Sequence, residues 1–161
     1  MYRLLAHPEY IEPLREEVEA VVAEEGWTKA AMDKMHKIDS FVRETQRLGG
    51  LTIGSLDSFP SVQLWIYELL MPVLFYPVVM TRLVLRPFTF SNGVTIPAGT
   101  HIAVPASATH TDERNYENPN EFDGFRFAKL RESEGYAVRG RHQVISTSAD
   151  NLSFGLGRHA W

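Results

Sequence analysis

The chain has 161 residues, 44% hydrophobic and 22% charged. That suits one folded domain able to bury roughly 68–70% of its unfolded surface. A net charge of −4, from 16 basic and 20 acidic residues, gives no electrostatic basis for nucleic-acid binding. There is no cysteine, which excludes disulfides, zinc–thiolate sites and cysteine nucleophiles within these residues.

The opening Met1-Tyr2-Arg3-Leu4-Leu5-Ala6-His7-Pro8 has too short an apolar run for a secretory signal. Residues 8–25 are predicted to be helical. Pro8 suits a first turn, and Leu14, Val18, Val21 and Val22 recur at helical spacing. Pro13 lacks an amide hydrogen, so the regular part is expected to start near Glu12. Gly26 reads as a stop and Thr28 as the cap of a short helix through Met32. A stronger helix is predicted over residues 38–48, with Ile38, Phe41, Val42 and Leu48 as its apolar stripe and Gly49-Gly50 as its end.

Residues 56–80 differ from their surroundings. The stretch 62–80 is strongly apolar, with Glu68 as its one charge. Its length is close to the roughly 20 residues a membrane helix needs. Gln63, Glu68, Pro72 and Pro77 weigh against a clean span, and a soluble core helix is an equal alternative. From residue 82 the period changes to that of strands. Leu83, Leu85, Phe88 and Phe90 precede a turn at Ser91-Asn92-Gly93, a good hairpin signal. Thr95, Ile96 and then His101, Ile102, Ala103 and Val104 follow, separated by a second turn at Pro97-Ala98-Gly99. A short helix is expected over 106–110. From Thr111 onward, Asp, Asn, Pro and Gly predict irregular coil with defined turns. The fold class is therefore mainly α with a small β-sheet (α+β).

Three groups of residues carry chemistry. Glu44 and Arg47 are three apart on the second strong helix, so they share a face; Phe41 and Leu48 make that face partly buried. A buried carboxylate and guanidinium need one another and further donors. A second guanidinium can complete such a pair, and Arg126, between Phe125 and Phe127, is the candidate. The third group is Phe154-Gly155-Leu156-Gly157-Arg158-His159-Ala160-Trp161, a tight, donor-rich loop suited to wrapping a metal-bound thiolate.

Taken in order, Glu44-x-x-Arg47, the run 122–127 and Phe154-x-x-Gly157-Arg158-His159-Ala160 resemble the C-terminal part of a cytochrome P-450, a haem-thiolate monooxygenase. The flavour is that of fungal microsomal members of secondary metabolism. The resemblance covers most of the chain outside 56–80. It implies an incomplete P-450 domain over 1–161, with the opening as the family's J helix and 38–48 as its K helix. Residues 82–104 would be strands of its first β-sheet, and 111–150 would lead through the meander to the haem loop. Glu44, Arg47 and Arg126 would then form the structural triad that holds the meander. Gly124-Phe125 departs from the family's usual Pro-Glu before Arg-Phe.

The resemblance further implies haem as cofactor. Arg158, His159 and Phe154 would be haem-side residues of the loop, and Arg82 a further propionate partner from the strands. The remaining histidines, His7, His36, His101, His110 and His142, are expected to be surface or structural groups; none shows paired ligand spacing. The family's axial cysteinate pushes electron density onto the iron. Trp161 stands where that cysteine is expected, and an indole N–H has no lone pair to offer. The oxygen-activating I helix would lie before Met1.

The expected activity of an intact relative is O2-dependent oxidation of a small hydrophobic molecule, with electrons from NADPH-cytochrome reductase at the endoplasmic reticulum membrane. The chain by itself is expected to be inactive. Residues 56–80 read, in this light, as an insertion of translated intron sequence or a comparable gene-model error. Two other readings stand beside this one: a non-catalytic remnant or regulatory fragment, and a small protein anchored in a membrane by 62–80.

Overall fold

The computed structural model describes residues 2–49, 78–134 and 140–158. Of the segment singled out above, residues 78–80 are described and 56–77 are not. His159 and Trp161 also lie outside the described residues.

The chain begins with α1 (Tyr2–Ala6), a 3-10 turn (Pro8–Tyr10) and α2 (Ile11–Glu25). Pro13 sits in the first turn of α2, where a missing amide hydrogen deprives the helix of no bond. Gly26 ends the helix at φ 66°, its N–H donating to the Val22 carbonyl. This left-handed position favours glycine over any residue with a Cβ. Thr28 caps α3 (Lys29–Lys34), its hydroxyl oxygen accepting from the Ala31 amide.

The longer helix α4 (His36–Gly49) corrects the expected stripe. Val42 is exposed and Ile38 and Leu48 only half-buried, whereas Ser40, Phe41, Arg43, Glu44 and Arg47 are buried. Positions 40, 43, 44 and 47 recur at helical spacing, so α4 turns a polar face inward. Its N-terminus is closed by a residue of another helix. The Glu17 carboxylate accepts from the amides of Lys37 (2.8 Å) and Ile38 (2.9 Å), satisfying two groups a helix end leaves open.

Two small antiparallel sheets follow. Strand β1 (Val78–Leu83) pairs with β4 (His101–Pro105), with an irregularity between Val79 and Arg82. Met80 lies in that irregularity at φ 53°. Strands β2 (Phe88–Thr89) and β3 (Thr95–Ile96) form the hairpin expected from Asn92-Gly93. Its turn is closed by Phe90 N–H to Val94 and Gly93 N–H to Phe90, with Gly93 at φ 87°. A short α5 (Ala106–His110) comes directly after β4.

The expectation of coil from Thr111 onward fails at one place. Residues Arg126–Glu134 form a helix, α6, packed on α4. Just before it, Asp123 Oδ1 accepts the Phe125 amide at 3.0 Å. The Ser40 hydroxyl of α4 adds a cap from a distance, accepting from the amides of Phe127 (3.1 Å) and Ala128 (3.0 Å). The part of an N-terminus completed by tertiary contact leaves no local signature. Among the described residues no helix is long and apolar enough to cross a membrane.

Five rings bind the start of the chain to the residues before α6. His7 stacks on Phe122 at 4.7 Å, and Tyr10 meets Phe125, Phe41 and Phe122 at 4.9, 5.5 and 5.9 Å. Gly124 is wedged among them. A Cβ there would lie 2.7 Å from Phe41 Cδ2 and 2.9 Å from Tyr10 Cε1. The Gly124 amide also donates to the Tyr10 hydroxyl. Those two rings account for a glycine at this departure from the family's Pro-Glu.

Two substitutions test this packing. Ser40→Ala leaves two buried amides unpaired and is expected to cost about 1–2 kcal/mol in urea denaturation. Gly124→Ala forces two rigid rings apart and is expected to cost about 1–3 kcal/mol in the same measurement.

Candidate functional site

Glu44 is fully buried, and its side chain is held from three sides. Arg47 grips it in a bidentate pair, Nε to Oε2 at 2.8 Å and Nη2 to Oε1 at 2.7 Å. Arg126 Nε approaches Oε1 at 3.2 Å, and the Asp123 amide donates to the same oxygen. The structure thus brings Glu44, Arg47 and Arg126 together.

The remaining donors of both arginines go to backbone carbonyls. Arg47 Nη1 reaches the carbonyls of His110 and Pro119, both at 2.6 Å, and Nη2 that of Glu121 at 3.3 Å. All five guanidinium hydrogens of Arg47 have acceptors. The Tyr116 ring lies 4.9 Å from its guanidinium carbon. Arg126 adds the carbonyls of Glu117, Asn118 and Glu121. Two side chains therefore gather the irregular stretch 117–121 around one carboxylate. With four donors on Glu44 and no exposure to solvent, the carboxylate has no route by which to meet a substrate. Its chemistry is structural.

A neighbouring set was not anticipated. Arg43, 2% exposed, reaches the carbonyls of Arg141 and Gln143 and the Ser146 hydroxyl, and stacks over Phe127 at 4.3 Å. Burial lowers its pKa from the ordinary guanidinium value. Asp39 pairs with Arg131 and accepts the Val144 amide. The Tyr116 hydroxyl donates to the Asp150 carbonyl, and burial pushes its pKa up to about 12. For Asp39 and Arg43 the signal was present as the 39/40, 43/44, 47 recurrence on α4. A polar stripe at that spacing ordinarily marks a solvated face, and only its Glu44–Arg47 part reads as buried from the sequence.

The last described loop joins this system through residues 148–153. Ser148 and Asn151 exchange backbone hydrogen bonds, and Asn151, Leu152 and Ser153 are buried. Beyond them Phe154 is half-buried and Arg158 exposed. Gly155 and Gly157 stand at φ 81° and 84°. The Met80 sulfur of β1 accepts the Leu156 amide at 3.2 Å, tying strand to loop. Arg82 is exposed on β1, with Nη1 donating to the carbonyl of Thr81.

The comparisons with known proteins bear on this geometry. The cytochrome P450 family model matches residues 49–160. The chain belongs to the cytochrome P450 family. It is 43% identical over 160 residues to cytochrome P450 monooxygenase 103 of Postia placenta, covering 99% of this chain and 27% of that protein. It is 37% identical over 163 residues to ent-kaurene oxidase P450-4 of Gibberella fujikuroi, again covering 99% of this chain and 27% of that protein. The chain thus spans about a quarter of the length of the curated relatives it matches.

P450 proteins are haem proteins. Whether the residues here fit that group can be judged from their donors. The 161 residues include no thiol, and both ring nitrogens of the buried His110 already have partners. Among the described residues no cluster of three or more His, Cys, Asp or Glu is placed to hold a metal ion. The donor set does not fit thiolate-ligated iron.

Removing charge from the framework checks its role. Glu44→Gln leaves the buried Arg47 and the half-buried Arg126 without a carboxylate and is expected to cost about 3–5 kcal/mol. Arg47→Lys, which cannot reproduce five fixed donors, is expected to be similarly damaging. Loss of the cooperative urea transition in both variants is the expected readout.

Proposed function

We propose that this chain is the triad-bearing C-terminal framework of a haem-dependent monooxygenase of fungal secondary metabolism. In the whole protein, O2 and electrons from NADPH-cytochrome reductase would oxidise a small hydrophobic molecule at the endoplasmic reticulum membrane. The observation that carries the reading is the fully buried Glu44 carboxylate, joined to Arg47 and Arg126 and through them to the 117–121 backbone. On this reading the ion-pair system holds the meander rigid, and Phe154 and Arg158 belong to the haem-side loop with His159 next to them. The relatives named ent-kaurene oxidase support oxidation of a small-molecule substrate.

The 161 residues themselves do not catalyse this reaction, because none can supply the axial thiolate. Their contribution is positional: they order the loop and present a cation at Arg158. Expression of the full chain with added haem, followed by reduction and carbon monoxide, tests the statement. The expected difference spectrum lacks the Soret band of a thiolate-ligated complex; its appearance would refute the proposal.

A further inference from the structure

His110 is among the most deeply buried side chains of the described residues, at 1% exposure, and both of its ring nitrogens are engaged. Nδ1 lies 3.2 Å from the Arg47 carbonyl. Nε2 lies 2.9 Å from the Leu152 amide nitrogen. A carbonyl can only accept, so Nδ1 must carry the hydrogen. An amide N–H can only donate, so Nε2 must present its lone pair. The two partners dictate a neutral imidazole in one tautomer.

We propose that His110 is a positioning residue, a proton-sensitive latch that docks the loop bearing Phe154 and Arg158 onto the ion-pair helix α4 only while its ring is neutral. Leu152 is the pivot of that loop. Its N–H is held by His110, and its carbonyl accepts the Gly155 amide that starts the glycine turn. Protonation at Nε2 would set an N–H against the Leu152 N–H and free the pivot. The backbone of His110 strengthens the coupling, because its carbonyl is an acceptor for Arg47.

The charges around the ring favour the neutral form. From α4, Arg43 and Arg47 face it, and both oppose a further positive charge. Asp150 of the loop is the opposing carboxylate, and the charge of Glu44 is already paired with Arg47 and Arg126. Tyr116, beside Arg47, is itself held neutral by burial. Burial first, then the two arginines, lowers the His110 pKa from its ordinary 6.5; the Arg47 carbonyl and Asp150 offset part of this. The sign follows from linkage. The unfolded chain takes up the proton first as pH falls through about 6.5, so the latch's stabilisation is complete above that pH. It is lost progressively below, down to the lowered folded value.

Nitrogen-15 NMR of the ring in the full chain tests the latch without haem, so its result is separate from that of the carbon monoxide experiment. The expected result is the Nδ1–H tautomer at neutral pH and no protonation as pH falls through about 6.5. Two variants divide the ring's functions. His110→Asn keeps a donor near Nδ1 but no acceptor for Leu152; His110→Gln can place an acceptor near Nε2. Leu152 amide exchange should accelerate by roughly tenfold or more in the Asn variant and by less than about threefold in the Gln variant. An Nε2–H tautomer, titration at the ordinary value, or equal Leu152 exchange in the two variants would overturn the proposal. Should either variant fail to fold, the ring spectrum of the native chain decides alone.

Discussion

The buried carboxylate of Glu44 is the constraint around which the other contacts arrange themselves. A charge removed from water costs several kcal/mol unless it is paired and hydrogen-bonded. Here one carboxylate meets two guanidinium groups and an amide. The arginines then carry more donors than Glu44 can accept, and the surplus goes to the carbonyl that ends α5 and to carbonyls of residues in no helix or strand. The stretch 117–121 has no ladder to satisfy its backbone, so Arg47 and Arg126 act as that partner. Arg43 does the same for Arg141 and Gln143. Irregular chain is held in a defined shape because cations sit at the centre of its turns.

The helices depend on one another in a related way. Glu17 of α2 closes the start of α4, and Ser40 of α4 closes the start of α6. His110, at the end of α5, then ties α4 to the loop around Leu152. Each joint satisfies a backbone group that its own segment leaves open. Packing adds the ring cluster of His7, Tyr10, Phe41, Phe122 and Phe125, which pins the start of the chain beside the residues that precede α6. A perturbation at Glu44 therefore reaches segments that share no strand or helix with it.

Much of this was legible from residues alone where the signal is local. Thr28 as a cap, Gly26 as a stop and Asn92-Gly93 as a hairpin turn all act through their own backbone or their immediate neighbours. Glu44 and Arg47 were legible as a pair because three residues on a helix is a fixed geometry. The rest of the inward face of α4 was not, since Val42 and Leu48 suggested an apolar stripe whereas Ser40 and Arg43 are buried beside Phe41, Glu44 and Arg47. Polar groups can go inward only when partners from distant segments are waiting, and those partners lie up to about a hundred positions away. The helix over 126–134 was missed for the same reason: Ser40, its cap, is 87 residues from Phe127.

The sequence by itself determined the elements with local causes, the ordered motifs that mark the cytochrome P450 family, and the lack of any thiol among these residues. Chemistry of that kind is a property of residue type and spacing. Only the tertiary structure decided which polar groups are interior, that Arg126 completes the Glu44–Arg47 pair, and that His110 must be neutral with its hydrogen on Nδ1. A hydrogen-bond donor's worth depends on what faces it and whether water can reach it. Both are settled when distant segments close on one another.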